Sequence, residues 1–308
     1  MSSTVRSQKA IKSIKETKGD RVFGIVVSVI AFIAMIMALY PLYFVVIASI
    51  SSPDAISLGE VILLPRDISF TGYQFVLDEA RIWLGYGNTI FYTVCGTLLG
   101  TIVTLMAAFA LSRKFLLGRG ILMKLMVFTM FFSGVLIPTY INISNLNLTN
   151  TRWILILMGS VSVYNMIIAR TFFQNSLPEE IFEAADLDGC STVRFFFQIA
   201  LPLSKAIIAV IVLYIAVSHW NSYFNAMIYT TDAKLAPLQL VLRDIRILGK
   251  SLTNITDANE LEALAERQRI AQVIKYVVII VSSAPLIAVY PFIQKYFAQG
   301  VMIGSVKG

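Results

Sequence analysis

Charged residues are scarce in this 308-residue chain, at 14% of the sequence, where a soluble domain has about 25%. Histidine occurs once, as His219, and cysteine twice, as Cys95 and Cys190. These few candidate ligands predict no metal site, and the two cysteines fall in different predicted environments, which predicts no disulfide. The scarcity of charge, together with 57% hydrophobic residues, excludes a soluble enzyme, a disordered chain and a coiled coil. The composition is typical of a protein embedded in lipid.

Six stretches are long and apolar enough to cross a bilayer as helices, each of which needs about 20 mostly apolar residues. They are Val22–Ile50, Asn88–Leu111, Ile121–Ile143, Trp153–Ala169, Ala206–Tyr229 and Val273–Phe292. The sequence therefore predicts an all-α, polytopic membrane protein with six transmembrane helices. In this arrangement residues 22–292 form the membrane domain, between an N-terminal segment (1–21) and a C-terminal tail (293–308).

The six predicted spans contain neither aspartate nor glutamate. Ion-coupled transporters and proton pumps usually bind the driving ion through carboxylates inside the membrane. The absence argues against those classes and against aspartyl chemistry in the membrane, although a site built from backbone carbonyls remains open.

Lysine and arginine are distributed unequally between the two sides of the predicted membrane domain. One side, which includes the N-terminal segment and the loop after the second span, carries 15 of the 25. Cytoplasmic loops have such an excess, so we expect both termini in the cytoplasm. The same excess explains the net charge of +7 without a nucleic-acid partner.

The loop between the fourth and fifth spans, residues 173–205, is too polar for lipid and too regular for a linker. Ser176 is interpreted as the N-cap of a helix, with Glu179 at the capping-box position three residues later. Gly189 predicts the end of that helix. A second short helix is expected over about Ser191–Ala200, which makes the loop a helix-turn-helix on the cytoplasmic surface.

A spaced signature lies in this loop, consisting of Glu183-Ala184-Ala185, Gly189 and, after nine residues, Ile199-x-Leu201-Pro202. It resembles the EAA loop of bacterial ABC-importer permeases. The carbohydrate branch of that family is indicated by Asp188, Phe195–Phe197, Trp220-Asn221 and the C-terminal pattern Gln294-Lys295-Tyr296-Phe297-x-x-Gly300. Over about residues 20–308 the chain is similar to MalG-like permeases of oligosaccharide and polysaccharide importers. It departs from the pattern at Cys190, where alanine is usual, and at Ser204-Lys205, where a proline is often near.

The resemblance implies the type I ABC-importer permease fold and a machine of five parts in a bacterial cell membrane. Two different permease subunits form the pathway, two ATPase subunits drive it, and an external binding protein delivers the sugar. ATP and Mg²⁺ bind to the ATPase subunits, so this chain is expected to bind no cofactor and to catalyse no reaction.

The resemblance also assigns roles to particular residues. Those expected to dock on the ATPase are Glu183, Ala184, Ala185, Asp188, Gly189, Phe196, Leu201 and Pro202. The tail, with Gln299 and Gly300, is expected near the ATPase interface, and the external loop 230–272 is expected to face the binding protein.

Tyrosine, tryptophan and asparagine suit a sugar pathway, because aromatic faces stack on C–H surfaces and amides pair with hydroxyls. The candidates are Tyr140, Asn142, Asn165, Trp220, Asn221 and Tyr223. For each of them, packing or an interfacial aromatic belt is the alternative. His219 has two interpretations, a hydrogen bond between helices or pathway lining, and Gly96-x-x-x-Gly100 predicts close helix packing either within the chain or with a partner.

Two other functions remain as alternatives. One is a permease of the same superfamily for amino acids or peptides. The other is a membrane-embedded transferase of glycosyl or acyl groups, for which His219 is the one histidine available.

Overall fold

A computed structural model of the chain describes residues 17–132, 134–248 and 258–305. Within these ranges the protein is built from α-helices with one short 3₁₀ and one short π segment, and no strand occurs. The prediction of an all-α protein is confirmed.

The helices follow one another along the chain with short connections. The first eight are α1 (Lys18–Ser49), α2 (Pro53–Ser57), α3 (Thr71–Asp78), α4 (Ala80–Ser112), α5 (Arg119–Phe131), α6 (Leu136–Asn145), α7 (Arg152–Leu157) and α8 (Val163–Ser176). The remaining ones are α9 (Glu179–Leu187), α10 (Thr192–Phe195), α11 (Leu201–Leu203), α12 (Lys205–Trp220), α13 (Phe224–Tyr229), α14 (Leu238–Leu248) and α15 (Ala258–Ser305). The π segment is Phe196–Ala200 and the 3₁₀ segment is Ala233–Leu235.

Three helices in the described ranges are long and apolar enough to cross a membrane, namely α1, α4 and the Arg269–Pro291 part of α15. Two bent pairs bring the number to as many as five: α5 with α6, and Thr192–Leu203 with α12. These spans are consistent with the six predicted from the sequence.

Three predicted spans are not continuous helices. Ile121–Ile143 is divided between α5 and α6. Trp153–Ala169 is divided between α7 and α8, and Gly159 in the break has φ +89°. Ala206–Tyr229 is divided between α12 and α13, where the side-chain amide of Asn221 donates to the carbonyl oxygen of Val217 at 3.0 Å. Such a local side-chain hydrogen bond competes with continuation of the helix. Apolar composition predicts where a chain lies in lipid but does not reveal breaks of this kind.

Helix α1 exposes apolar side chains over most of its length, up to its last turns. At its C-terminal end Phe44 packs edge-on against Tyr276 of α15, with ring centroids 5.6 Å apart. An exposed apolar surface of this size needs lipid or another protein chain around it.

The two larger clusters of buried apolar residues in the described ranges lie at opposite ends of α4. One cluster surrounds its N-terminal half and includes Ile82, Leu238 and Val277. The other surrounds its C-terminal half and includes Phe109 and Ile211. Helix α4 therefore forms the axis of the bundle.

Between the two clusters, α4 touches its neighbours through glycine. A Cβ atom at Gly96 would lie 2.3 Å from Nε2 of His219 in α12. A Cβ atom at Gly100 would lie 2.1 Å from the carbonyl oxygen of Ser160, in the break between α7 and α8. Nε2 of His219 is also 3.3 Å from Oγ of Ser160. The Gly96–Gly100 pattern thus packs helices within this chain, and His219 makes the predicted contact between helices.

Candidate functional site

Helix α9, which carries the signature of the loop, begins after Pro178. The prediction of Ser176 as its N-cap was wrong, because α8 continues to Ser176. Pro178 has φ −54° and ψ 149°, so the chain leaves the extended conformation there, and no side chain caps the helix. Proline is compatible with this position because the first N–H groups of a helix have no partner within it.

The helix ends where Gly189 was expected to end it. Gly189 has φ +71°, a left-handed conformation that glycine adopts without a steric penalty. Its N–H donates to the carbonyl oxygen of Asp186 at 2.9 Å, and the N–H of Cys190 donates to that of Ala185 at 2.9 Å. These bonds satisfy carbonyl groups that the helix end would leave unpaired.

A second helical stretch then leads back to the membrane domain. Ser191 caps α10 by accepting from the N–H of Arg194 at 3.3 Å. The π segment and α11 follow, so the second predicted helix exists, with a widened turn inside it. At Ser204, which is fully buried, the chain bends by 86° into α12. The loop is therefore attached directly to a long helix of the bundle.

Helix α9 has two different faces. Ala185 is buried and Phe182 is half-buried, so this face packs against the protein. Glu183 and Ala184 are exposed, and Leu187, with 90% of its surface exposed, is the most prominent apolar side chain of the helix. The outward face thus combines acidic groups with an apolar projection, which suits a socket on a partner protein.

An aromatic cluster supports the inner face of α9. We define it as Phe109 of α4, Phe173 of α8, Phe182 of α9, and Phe195 with Phe196 of the second stretch. The ring centroid of Phe182 lies 5.1 Å from that of Phe195. The ring centroid of Phe109 lies 5.1–6.1 Å from those of Phe173, Phe195 and Phe196. Contacts of this kind contribute about 0.5–1.5 kcal/mol per pair beyond area burial. The cluster therefore links α9 to α4 and α8.

Arg113, directly after α4, is a buried cation beside this cluster, with 2% of its surface exposed. Its Nη2 atom donates to the carbonyl oxygens of Phe173 at 3.1 Å and Leu177 at 3.4 Å, and its Nε atom donates to Oγ of Ser112 at 3.0 Å. The guanidinium also lies 5.2 Å from the ring centroid of Phe109. Arg113 thus ties the end of α4 to the end of α8.

The charge of Arg113 is partly offset by an acid at the start of α9. Burial lowers the pKa of Arg113, and the carboxylate of Glu179 opposes that shift. Glu179 is 3.6 Å from Nζ of Lys114. An arginine stays protonated at neutral pH even when its pKa falls, so Arg113 remains a cation. From the sequence, Arg113 is only one of the cations in the loop after the second predicted span, because nothing in the local pattern distinguishes a buried arginine from an exposed one.

The residues expected to dock on the ATPase lie in this loop, but they do not share one surface. Glu183, Ala184, Asp188, Gly189 and Pro202 are exposed, whereas Ala185 and Phe196 are buried and Leu201 is half-buried. The first group is available to a partner, and the second holds the loop in place. Gln299 and Gly300 belong to α15, and their surroundings lie outside the described part of the structure.

The six candidates for a sugar pathway do not form one site. Trp220 is buried, and its Nε1 atom donates to the carbonyl oxygen of Ser282 in α15 at 3.0 Å, so it joins two helices. Tyr140 stacks on Tyr229 with centroids 6.0 Å apart. Asn142 and Asn221 are exposed.

Asn165 and Tyr223 line two separate cavities. Asn165 is buried and lines an open groove of about 510 Å³ between α8 and α12, together with Ser162, Tyr214 and Ser218. Tyr223 lines a cavity of about 280 Å³ that is formed with α14 and α15. Polar groups at both places give the bundle two candidate sites for a hydroxylated solute.

The chain is similar in sequence to a known protein family and to individual members of it. The model of the family described as "Binding-protein-dependent transport system inner membrane component" matches residues 96–303. Protein LplC of Bacillus subtilis (strain 168) is 36% identical over 298 residues, which cover 97% of this chain and 99% of LplC. The polygalacturonan/rhamnogalacturonan transport system permease protein YtcP of the same organism is 36% identical over 94% of this chain and 99% of YtcP.

A solved structure is also similar. It belongs to a bacterial ABC transporter involved in the import of the acidic polysaccharide alginate. The TM-score is 0.82 at 34% identity, and the match covers 92% of this chain and all of the other. The arrangement of the helices is therefore shared along nearly the whole chain.

Proposed function

Because the chain belongs to the family of binding-protein-dependent transport system inner membrane components, we propose that it is the permease subunit of an ATP-driven importer of saccharides. It forms half of the pathway through a bacterial cell membrane. YtcP and the alginate importer support an oligosaccharide or polysaccharide as the substrate. These relatives do not favour the alternatives, an amino-acid or peptide permease and a membrane-embedded transferase.

The observation that carries the proposal is the construction of the loop around α9. Its outward face exposes Glu183 and Leu187, while its inward face is held by the aromatic cluster and Arg113. The chain then passes directly into α12 through the buried bend at Ser204. A partner that moves α9 therefore moves α4, α8 and α12 with it, because packed interiors transmit displacement.

We infer that the partner is an ATPase dimer, which binds ATP and Mg²⁺ and carries out hydrolysis. This chain contributes no catalytic group. A second, different permease subunit completes the pathway, and an external sugar-binding protein delivers the substrate. The exposed apolar surface of α1 is covered by the bilayer or by the second subunit.

We place α9 and both termini in the cytoplasm. The excess of lysine and arginine on that side supports this orientation. The loop 230–272 then faces the binding protein, and the tail with Gln299 and Gly300 lies near the ATPase.

For the pathway itself we propose the groove at Asn165. The amide of Asn165 makes no hydrogen bond to another residue of the described ranges, although the residue is buried. Because Asn165 lines the groove and its amide has no partner there, the amide is available to a sugar hydroxyl. Trp220 does not contact the sugar; its hydrogen bond to Ser282 holds α12 against α15.

Copurification tests the proposal. An ATPase and a second polytopic subunit should be recovered with the tagged chain from native membranes, and Glu183→Ala should lower ATPase recovery while membrane insertion is unchanged. Glu60→Ala removes an exposed acid from the opposite side and serves as the control. Recovery of the chain without any ATPase, or normal sugar uptake by Glu183→Ala and Gly189→Val, would contradict the docking role of α9.

A further inference from the structure

A second polar cavity lies between α14, α15 and the break after α12. It has a volume of about 280 Å³, and its polar lining consists of Tyr223, Gln239, Arg243, Lys275 and Ser282. The rest of the lining is apolar and comes from α14 and α15. Because α14 belongs to the segment 230–272, the cavity lies at the end of the bundle that we assign to the outside.

Two of the lining side chains are cations, and no carboxylate lines the cavity among the described residues. Nη1 of Arg243 is 3.4 Å from Oδ1 of Asp244, whose side chain lines a neighbouring cavity instead. Nζ of Lys275 donates to Oε1 of Gln272 at 3.1 Å and lies 4.9 Å from the ring centroid of Tyr276. Lys275 thus has only neutral partners in the described part of the chain. The cavity carries an excess of positive charge that a bound anion would balance.

The neutral lining groups are suited to hydroxyls. The phenol of Tyr223 and the amide of Gln239 make no hydrogen bond within the described ranges, so both have free donors and acceptors. The aromatic ring of Tyr223 offers a face for C–H groups. Small-molecule pockets have volumes of about 300–1,000 Å³, so this cavity accommodates one sugar ring rather than a chain of several.

We propose that this cavity binds a single carboxylate-bearing sugar ring, that of a uronic acid, within the saccharide that the importer carries. Lys275 and Arg243 contact the carboxylate, and Tyr223 and Gln239 contact the ring and its hydroxyls. The inference rests on the proposed function as a saccharide permease and adds that the substrate is acidic. A neutral saccharide would leave Lys275 without a counter-charge, since only Arg243 is paired with a carboxylate, that of Asp244, so the cavity selects against it.

The test uses the complex purified from native membranes, with its ATPase, partner permease and binding protein, reconstituted in lipid nanodiscs. The probes are trigalacturonate and its fully methyl-esterified, neutral form, and the readout is stimulated ATP hydrolysis. Arg243→Gln and Lys275→Gln should weaken the response to trigalacturonate on the order of tenfold each, because each removes a charge-assisted hydrogen bond. The response to the neutral ester should change less than about twofold.

Three further variants separate the cavity from general effects. Lys234→Gln removes an exposed cation of the same outer end that does not line the cavity, and it should leave both responses unchanged. Lys275→Arg keeps the charge and should retain the response. Tyr223→Phe removes only a hydroxyl at the exposed rim, so it tests the cavity even where a glutamine variant fails to assemble, and it should lower the trigalacturonate response about threefold.

The outcomes distinguish the inference from the function on which it rests. Unchanged responses in the cavity variants, or losses no larger than that of Lys234→Gln, would overturn the acidic site. A wild-type complex stimulated only by neutral saccharides would also overturn it, while leaving the saccharide permease intact. A wild-type complex that no saccharide stimulates would remove the proposed function itself.

Discussion

Nη2 of Arg113, at the end of α4, donates a hydrogen bond to the carbonyl oxygen of Phe173, near the end of α8, at 3.1 Å. This bond joins the axis of the bundle to the helix that leads into α9. It is fully buried, as is the ring of Phe173, and solvent does not compete for it. The position of α9 therefore depends on a contact that lies outside its own segment.

We expect Arg113→Met to loosen the attachment of α9 to the bundle. The change leaves the carbonyl groups of Phe173 and Leu177 without this donor, at a cost of about 1.5–3 kcal/mol for hydrogen bonds to a charged group. The expected result is ATP hydrolysis with little sugar uptake, measured as the ratio of the two in proteoliposomes.

Lys114→Gln is the matched control for Arg113→Met, because Lys114 is the adjacent cation and its side chain is 71% exposed. In Lys114→Gln the ratio of ATP hydrolysis to sugar uptake should stay near that of the wild type, since exposed ion pairs contribute only about 0–1 kcal/mol to stability. Equal ratios in the two variants would refute the anchoring role of Arg113.

Gly96→Ala should destabilise the bundle. Its added methyl group would overlap the imidazole of His219, and overpacking of this kind costs about 1–3 kcal/mol. The measurement is the thermal unfolding midpoint of the detergent-solubilised complex, which should fall. Shortening the opposing side chain in the double variant Gly96→Ala/His219→Ala should recover part of the loss.

Gly87→Ala provides the control within the same helix. A Cβ atom at Gly87 meets no other atom within 4 Å, so this change should raise helix stability by about 0.5–1 kcal/mol. A fall in the midpoint of Gly87→Ala as large as that of Gly96→Ala would show that the contact with His219 is not the cause.

Gly189→Val should abolish most uptake while the protein still inserts into the membrane. Gly189 has φ +71°, which costs a non-glycine residue about 1–2 kcal/mol and a β-branched one more, so the turn after α9 must change. Three quantities are measured: uptake of labelled saccharide by whole cells, the membrane level of the chain, and recovery of the ATPase with the tagged chain, which should fall.

Gly59→Val imposes the same backbone penalty at the opposite end of the bundle, since Gly59 has φ +73° and an open surrounding. It should keep ATPase recovery at the wild-type level. If both glycine variants lose ATPase recovery equally, the effect comes from general destabilisation and not from docking.

Deletion of residues 300–308 should reduce the coupling of ATP hydrolysis to uptake, since we place this tail at the ATPase interface. A shorter deletion, of residues 306–308, serves as the comparison. Unchanged uptake per ATP after the longer deletion would remove this role from the tail.

Much of the loop around α9 was predictable from the sequence. Gly189 marked the end of α9 because a left-handed residue after a helix is a local requirement of the backbone. The predicted start of α9 was wrong, because Ser176 and Glu179 fit the sequence pattern of a capping box whether or not α8 extends to Ser176. Competition between neighbouring helices is not a local property.

The sequence by itself indicated that the chain lies in a membrane, that its predicted spans carry no acid and that the spaced motif from Glu183 to Pro202 lies between the fourth and fifth predicted spans, because composition and motif spacing depend on the covalent order alone. Only the tertiary structure decided that Gly96 faces His219, that Arg113 is buried against Phe173 and that Arg243 and Lys275 line one cavity. Each of these facts joins residues far apart along the chain, and such contacts form only when whole helices pack.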